Sequence, residues 1–238
     1  MAEPALAMYL GAAVCIGLGA IGSALGEGHT AASASEAIAR QPAVAPNVLR
    51  TMLVGQAVAE SASIFALVVA LLLLFSPVQG AGALRSVALF GAGLCMGAGA
   101  LGPGVGAGLG SAAACRAVAR SPRTATRVTT TMLVGQAVAQ TPSIFALLVA
   151  FLLLFRNTAE PFTLGAAAAL LGAAVSAGFS AVGPGIGAGF AASAACEGTA
   201  RSPEHSTLLL RTMLVGQAVS QSTSIYGLVV ALVLLFVV

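Results

Sequence analysis

The sequence predicts an all-α membrane protein: six transmembrane helices folded as three tandem antiparallel hairpins. Three observations carry that prediction. Of the 238 residues, 58% are apolar and 7% are charged, whereas a soluble globule carries roughly 25% charged residues. Next, the segment from Thr51 to Phe75, TMLVGQAVAESASIFALVVALLLLF, returns at Thr131 as TMLVGQAVAQTPSIFALLVAFLLLF and at Thr212 as TMLVGQAVSQSTSIYGLVVALVLLF, at steps of 80 and 81 residues. Finally, each repeat holds two apolar stretches longer than the ~20 residues that cross a bilayer core.

The elements follow in order. Spans are expected at about 5–38, 49–76, 82–118, 127–155, 162–199 and 207–237. They group as hairpin 1 over 1–80, hairpin 2 over 81–160 and hairpin 3 over 161–238. Within each hairpin the two spans are separated by a polar turn: Arg40-Gln41-Pro42, Arg120-Ser121-Pro122 and Arg201-Ser202-Pro203. A proline after an Arg-polar pair is a helix stop. Eight of the ten arginines, Arg40, Arg50, Arg116, Arg120, Arg123, Arg127, Arg201 and Arg211, flank these turns, and Arg85 and Arg156 lie at the other ends. The positive-inside rule therefore places the turns in the cytoplasm and both termini on the opposite side. The first span of each repeat is rich in glycine, as in Gly97, Gly99, Gly102, Gly104, Gly106, Gly108 and Gly110. In lipid, small residues let helix backbones approach closely. These spans should form a tight inner layer, with bulkier helices such as Leu71 to Phe75 facing lipid. Pro142 should kink its helix, with neighbouring helices satisfying the freed carbonyl.

Composition also excludes. Without Lys there is no P-loop lysine, Schiff base or Ser-Lys dyad. With no Asp and only His29 and His205, neither a His-rich metal site nor a Ser-His-Asp triad is available. A net charge of +3, its arginines confined to loops, does not make a nucleic-acid groove. Cys15, Cys95, Cys115 and Cys196 lie among Gly and Ala and read as small packing residues. Met1-Ala2-Glu3-Pro4 lacks a basic n-region, so no cleaved signal peptide is expected. Gly97 to Gly102 and Gly17 to Gly22 fit G-x-G-x-x-G, but no strand precedes them and no βαβ unit or acidic partner follows, so no dinucleotide site is inferred.

Two acids remain inside the spans, Glu27 and Glu60. A charge at the bilayer centre costs at least ~2.5–3.5 kcal/mol on insertion scales, so each is a functional candidate. The positions matching Glu60 are Gln140 and Gln221, and those matching Glu27 are Ala107 and Ala188. Gln keeps the shape and hydrogen bonding of Glu but does not titrate. Glu27 lies 13 residues before Arg40 and Glu60 lies 10 residues after Arg50, roughly 20 and 15 Å deep at 1.5 Å per residue. On antiparallel helices the two carboxyls reach similar depth, where a pair shares a proton or a cation. The bland alternative is a Glu pair used only for helix–helix hydrogen bonding. His29, two residues from Glu27, points elsewhere on the helix. Glu36, Arg116 and Glu197 occupy equivalent repeat positions near the cytoplasmic helix ends; two readings stand there, opposite charges pairing between adjacent hairpins and setting their order, or ordinary solvated helix ends.

These residues resemble the proteolipid, or c subunit, of rotary ATPases, over the whole chain as three fused hairpins. The resemblance rests on the G-x-G-x-G-x-G inner helix, the Arg40-Gln41-Pro42 turn, and Gly55-Gln56-Ala57 followed by Glu60-Ser61. It implies a homo-oligomeric ring in the membrane, a stator a subunit with an arginine opposite Glu60, and a central stalk docked on the turns around 40–50, 120–127 and 201–211. It implies no catalysis by this chain and no cofactor; H⁺ or Na⁺ is the cargo. In Na⁺-binding members the ligands come from an inner-helix Gln or Glu, a backbone carbonyl two residues before the carboxylate, and the hydroxyl after it, which match Glu27, Val58 and Ser61. A further Thr and Tyr support that pattern; repeat one has Ala62 and Phe65 there, repeat three has Thr223 and Tyr226. Neighbouring hairpins complete such sites, so Thr141, Ser222, Thr223 and Tyr226 are candidate contributors. The chain departs from the simplest family pattern in having three hairpins and one outer-helix carboxylate. Fusion resembles the vacuolar-type arrangement, while the turns and the Glu-Ser pair resemble F-type and N-type relatives. The ion stays open between H⁺ and Na⁺, with H⁺ favoured because Ala62 and Phe65 lack the extra polar groups.

One site per three hairpins also implies few ions per turn. Each ion crossing ~100 mV carries ~2.3 kcal/mol, so such a rotor suits ATP-driven pumping better than synthesis. A Na⁺-specific rotor is the nearest alternative. A stand-alone cation channel or carrier is disfavoured by the direct repeats, and a purely structural proteolipid by the buried acids.

Overall fold

The computed structural model describes residues 2–75, 82–156 and 162–236. Six helical spans are long and apolar enough to cross a membrane: Ala5–Arg40, Pro42–Phe75, Ala83–Arg120, Pro122–Phe155, Leu164–Arg201 and Pro203–Phe236. The expected hairpin boundaries at 80/81 and 160/161 lie outside the described residues. Helix α1 runs Ala2–Arg40, α2 Ala45–Phe75, α3 Ala83–Arg120, α4 Ala125–Ala139, α5 Thr141–Phe155, α6 Leu164–Phe179, α7 Val182–Arg201 and α8 Ser206–Phe236.

The three turns are built alike. The residue before each proline is held out of the helical region, as a following pyrrolidine ring demands. Gln41 has φ −145° and ψ 78°, Ser121 φ −138° and ψ 75°, and Ser202 φ −135° and ψ 72°. Each proline then opens a single 3₁₀ turn, Pro42–Val44, Pro122–Thr124 or Pro203–His205, that reverses the chain into the next span.

Two spans are interrupted. The outer span of hairpin 2 breaks between α4 and α5 at Gln140, where the sequence places Pro142. Pro142 has no N–H for the Val138 carbonyl four residues back. That carbonyl accepts instead from Gln221 Nε2 at 3.0 Å, a side chain of hairpin 3. The helix is therefore interrupted near Pro142, where the sequence predicted a kink, and the orphan acceptor is satisfied from the neighbouring hairpin. The inner span of hairpin 3 breaks between α6 and α7, just before Pro184. The equivalent Pro103 sits inside an unbroken α3, so this second break was not expected from the sequence.

Hairpin 2 lies between hairpins 1 and 3. Helices α1, α3 and α6–α7 form one layer, and α2, α4–α5 and α8 flank it as a second; α2 packs on both α1 and α3, as α4 packs on both α3 and α7. The inner layer is close because its seams are glycine. A Cβ at Gly26 would collide with the Gly104 carbonyl, and one at Gly106 with the Gly185 carbonyl. Without a hydrophobic drive between helices in lipid, such close approach supplies the packing. The four cysteines are free and buried. Cys15 and Cys95 hydrogen-bond to the carbonyls of Ala66 and Ala146 on their outer helices at 3.2 and 3.4 Å, and Ser176 does the same to Gly227 at 2.9 Å. The outer layer exposes large apolar side chains, but not as a block. In the run expected to face lipid, Leu71, Leu74 and Phe75 are exposed while Leu73 is fully buried, because helical periodicity turns one residue per turn back into the core, here beside Gly11 of α1.

Candidate functional site

Two hydrogen bonds fix the register of α1 against α2. Ser23 Oγ donates to the Ala59 carbonyl at 2.9 Å, and Gln56 Nε2 donates to the Glu27 carbonyl at 3.1 Å. Glu27 is thus level with Gln56, one turn from Glu60, while Ser23 is level with the residue before Glu60. The antiparallel pairing sets Glu27 and Glu60 about one helical turn apart in depth on facing helices. Glu27 is half-buried and Glu60 is exposed on the flank of α2; His29 is exposed elsewhere on α1.

The two glutamines that replace Glu60 are placed differently. Gln140 and Gln221 are each only 7% exposed. Gln140 Nε2 donates to the Val58 carbonyl of hairpin 1 at 3.1 Å, and Gln221 Nε2 donates to the Val138 carbonyl of hairpin 2 at 3.0 Å. Each outer-helix amide therefore reaches the carbonyl two residues before the equivalent position on the preceding hairpin. A serine three residues on steadies each amide. Ser143 Oγ contacts the Gln140 carbonyl at 2.7 Å and Oε1 at 3.2 Å, and Ser224 Oγ contacts the same atoms of Gln221 at 2.8 and 3.4 Å. Ser63 bonds only the backbone carbonyl of Glu60, at 2.8 Å.

The remaining sequence candidates divide between the two hairpin ends. Ser61 Oγ donates to its own helix at Ala57, 3.4 Å, and Ser222 Oγ and Thr223 Oγ1 donate to Val219 and Ser220 at 2.8 and 3.1 Å. Thr141 is half-buried at the start of α5. Val219 and Tyr226 are 69% and 64% exposed on α8, far from hairpin 1 within this chain. Glu60 thus lies on the helix facing Glu27, about a turn away in depth, and away from the hydroxyls of hairpin 3.

Sequence reasoning missed a second set of glutamines. Gln56, Gln136 and Gln217 donate to the carbonyls of Glu27, Ala107 and Ala188 at 3.1, 3.0 and 2.9 Å. Gln136 and Gln217 also reach the preceding hairpin, at the carbonyls of Gly55 and Gly135, both 3.0 Å. The available signal was a glutamine kept at one position in all three apolar repeats.

At the turns, Arg40, Arg120 and Arg201 are exposed, together with Gln41 and Pro42. Arg116 pairs with Glu197 of hairpin 3 at 3.4 Å, as expected for opposite charges at equivalent positions, and Arg120 and Arg201 approach the same carboxylate at 3.6 and 3.1 Å. Glu36 instead pairs within its own helix with Arg40 at 3.7 Å.

Chemically, the arrangement offers one outer-helix carboxyl per chain at membrane depth, with a second acid beside it and no arginine within two turns of either acid along its own helix. Such a group takes a proton or a small cation to be neutral in lipid. The family model for the C subunit of ATP synthase matches three times, at residues 10–73, 90–153 and 171–234. Among curated proteins, the ATP synthase c subunit numbered 2 of Cereibacter sphaeroides is 54% identical over 71 residues, 30% of this chain and 86% of that relative. The ATP synthase c subunit of Petrotoga mobilis is 50% identical over 70 residues, 29% of this chain and 73% of its own length, and that of Thermotoga maritima 53% over 69 residues, 29% and 81%. Each relative is as long as one hairpin, and three hairpins each match the family model: the chain belongs to the family of ATP synthase C subunits, in a fused triple-hairpin form.

Proposed function

We propose that this chain is the non-catalytic rotor subunit of a rotary ATPase, several copies forming a membrane ring that carries H⁺ by reversible binding at Glu60 with Glu27. The observation that carries this reading is the position of Glu60: midway along a membrane-spanning helix, on the flank of the chain that no other hairpin covers, where the two other hairpins bury an amide. A stator a subunit with an arginine opposite Glu60 would release the ion as the ring turns. The exposed turns at Arg40, Gln41, Pro42, Arg120 and Arg201 would face the cytoplasm and dock the central stalk, with both termini across the membrane. With one outer-helix carboxyl per three hairpins the ring moves few ions per turn, and ~2.3 kcal/mol per ion at ~100 mV favours ATP-driven pumping.

The glutamine contacts support a particular partner for Glu60. Gln140 takes the Val58 carbonyl and Gln221 takes the Val138 carbonyl. The next member of that series is Glu60 beside the Val219 carbonyl and the Ser222 hydroxyl of a preceding copy, in place of Val58 and Ser61 of its own hairpin. One observation favours Na⁺ as a second reading. Thr223 and Tyr226 are exposed on that flank of α8, although their equivalents Ala62 and Pro142 are buried and Phe65 and Phe145 half-buried. They would add two hydroxyls near Glu60 at the joint.

Carbodiimide modification of Glu60 in the assembled complex, with pH and Na⁺ varied, tests both readings. Labelling that falls only as pH rises is expected for a proton site. Protection by millimolar Na⁺ at neutral pH would replace H⁺ by Na⁺. Failure to label Glu60 under any condition would remove its role as carrier.

A further inference from the structure

Hairpin 1 departs from its successors at a third position near its acids. Its inner helix carries Ser23 and Glu27, one turn apart on one face, and its outer helix carries Glu60. The matching residues are Pro103, Ala107 and Gln140 in hairpin 2, and Pro184, Ala188 and Gln221 in hairpin 3. Ser23 is 2% exposed, and its hydroxyl donates to the Ala59 carbonyl of α2 at 2.9 Å. Proline has no side-chain donor, so neither Pro103 nor Pro184 can make that bond.

The other bonds between inner and outer helix show what Ser23 adds. Two kinds recur in every hairpin. An outer-helix glutamine donates to an inner-helix carbonyl: Gln56 to Glu27, Gln136 to Ala107 and Gln217 to Ala188. A small inner-helix residue donates to an outer-helix carbonyl: Cys15 to Ala66, Cys95 to Ala146 and Ser176 to Gly227. The Ser23 bond falls between these two levels, in the hairpin that bears the acids. The peptide unit it holds is the one that joins Ala59 to Glu60. Gln140 and Gln221 are held through their side chains, each bonding a carbonyl of the preceding hairpin. Glu60 is exposed, so the place from which its carboxyl reaches out is set by its backbone.

We propose that Ser23 is a positioning residue for Glu60. By holding the Ala59–Glu60 peptide against α1, it fixes the point on the flank of α2 from which the carboxyl meets its ion. This deepens the carrier reading of Glu60 and rests on it. A group fixed before it binds loses less freedom on binding, so the hydroxyl tightens ion binding without being a ligand.

Carbodiimide labelling of the assembled complex tests this, read at Glu60 as the proton or Na⁺ concentration that half-occupies the carboxyl. A side-chain hydrogen bond between membrane helices averages about threefold in an equilibrium constant. Ser23→Ala should therefore raise the half-occupying concentration about threefold, with the mass of the assembly unchanged. Ser23→Cys keeps a donor of the kind that Cys15 and Cys95 supply and should recover part of the shift. Ser176→Ala removes an inner-to-outer bond of the same kind from hairpin 3, which has no acid at membrane depth. It should lower the thermal midpoint of the assembly as Ser23→Ala does, and leave the half-occupying concentration unchanged. A Ser23→Ala assembly that loses thermal stability with unaltered occupancy of Glu60 would make Ser23 a structural residue only, overturning the proposal and leaving the carrier reading standing. An equal shift from Ser176→Ala would do the same. Failure of Glu60 in the unaltered protein to respond to pH or Na⁺ would remove the carrier reading, and this proposal with it.

Discussion

Hairpin 1 and its two successors share a backbone design, a depth and a turn, yet treat one position in opposite ways. Glu60 is exposed at the end of the chain, whereas Gln140 and Gln221 are 7% exposed at the two internal joints. At those joints the side chain faces a backbone carbonyl, Val58 or Val138, and must donate to it. An amide always donates, and an ionised carboxylate never does. A buried carboxylate at an internal joint would oppose the carbonyl whenever it lost its proton. On the proposed reading the chain places its titratable group where the interface between copies would be made, and closes the interfaces within the chain with amides that do not change charge.

The largest expected effect comes from erasing that difference. Glu60→Gln makes hairpin 1 like the other two at this position. ATP-driven ion uptake into vesicles holding the whole complex should fall to background, because no titratable outer-helix group remains, while the mass of the assembly should be unchanged, because Gln is already accommodated twice. Continued pumping by an intact Glu60→Gln assembly would break the comparison, and loss of assembly would show that the carboxyl is also structural.

The converse change sharpens it. Gln140→Glu puts an acid at an internal joint facing the Val58 carbonyl. With its proton it can still donate, so the assembly should form at acid pH and loosen as pH rises and the charged form appears beside an acceptor. Carbodiimide should then label about twice as many carboxyls per chain as in the unaltered protein, if the internal joint admits an ion as the end joint does. Unchanged labelling would mean that internal joints are closed to ions by packing as well as by chemistry.

Much of this arrangement is legible in the sequence, and the reason differs by feature. Spans, turns and hairpins follow from apolar length and from three Arg-polar-Pro stops, which act locally. The similar depth of Glu27 and Glu60, within about one helical turn, follows from counting residues to the turn, since 1.5 Å per residue leaves little freedom. The pairing of Arg116 with Glu197 follows from equivalent repeat positions of opposite charge. What sequence could not supply is which flank of each outer helix meets the next hairpin, because in an apolar membrane helix both lipid and protein accept Leu, Val and Ala. Leu73 is buried while Leu71 and Leu74 are exposed for this reason. The break before Pro184 was equally hidden, since the equivalent Pro103 leaves α3 continuous. Gln56, Gln136 and Gln217 read as a motif, and only the helix–helix geometry shows that they bond backbone on two sides.

The smallest effect concerns the serines that steady the two amides. Ser143 Oγ lies 3.2 Å from Gln140 Oε1 and Ser224 Oγ lies 3.4 Å from Gln221 Oε1, while Ser63 makes only a backbone bond at Glu60. Each hydroxyl proton is shared between the nearer backbone carbonyl and Oε1, and its share on Oε1 favours the rotamer that leaves Nε2 aimed at the neighbouring carbonyl. Side-chain hydrogen bonds between membrane helices average about 0.6 kcal/mol, close to threefold in an equilibrium constant. Ser143→Ala should therefore lower the thermal midpoint of the purified assembly by a small, measurable amount, and adding Ser224→Ala should roughly double the shift, the two joints being separate. Ser63→Ala should leave the midpoint unchanged, because that hydroxyl makes only a local bond to its own helix. If Ser63→Ala destabilised as much as Ser143→Ala, the serines would act through helix backbone alone, and the contrast between amide and acid joints would no longer extend to their supporting residues.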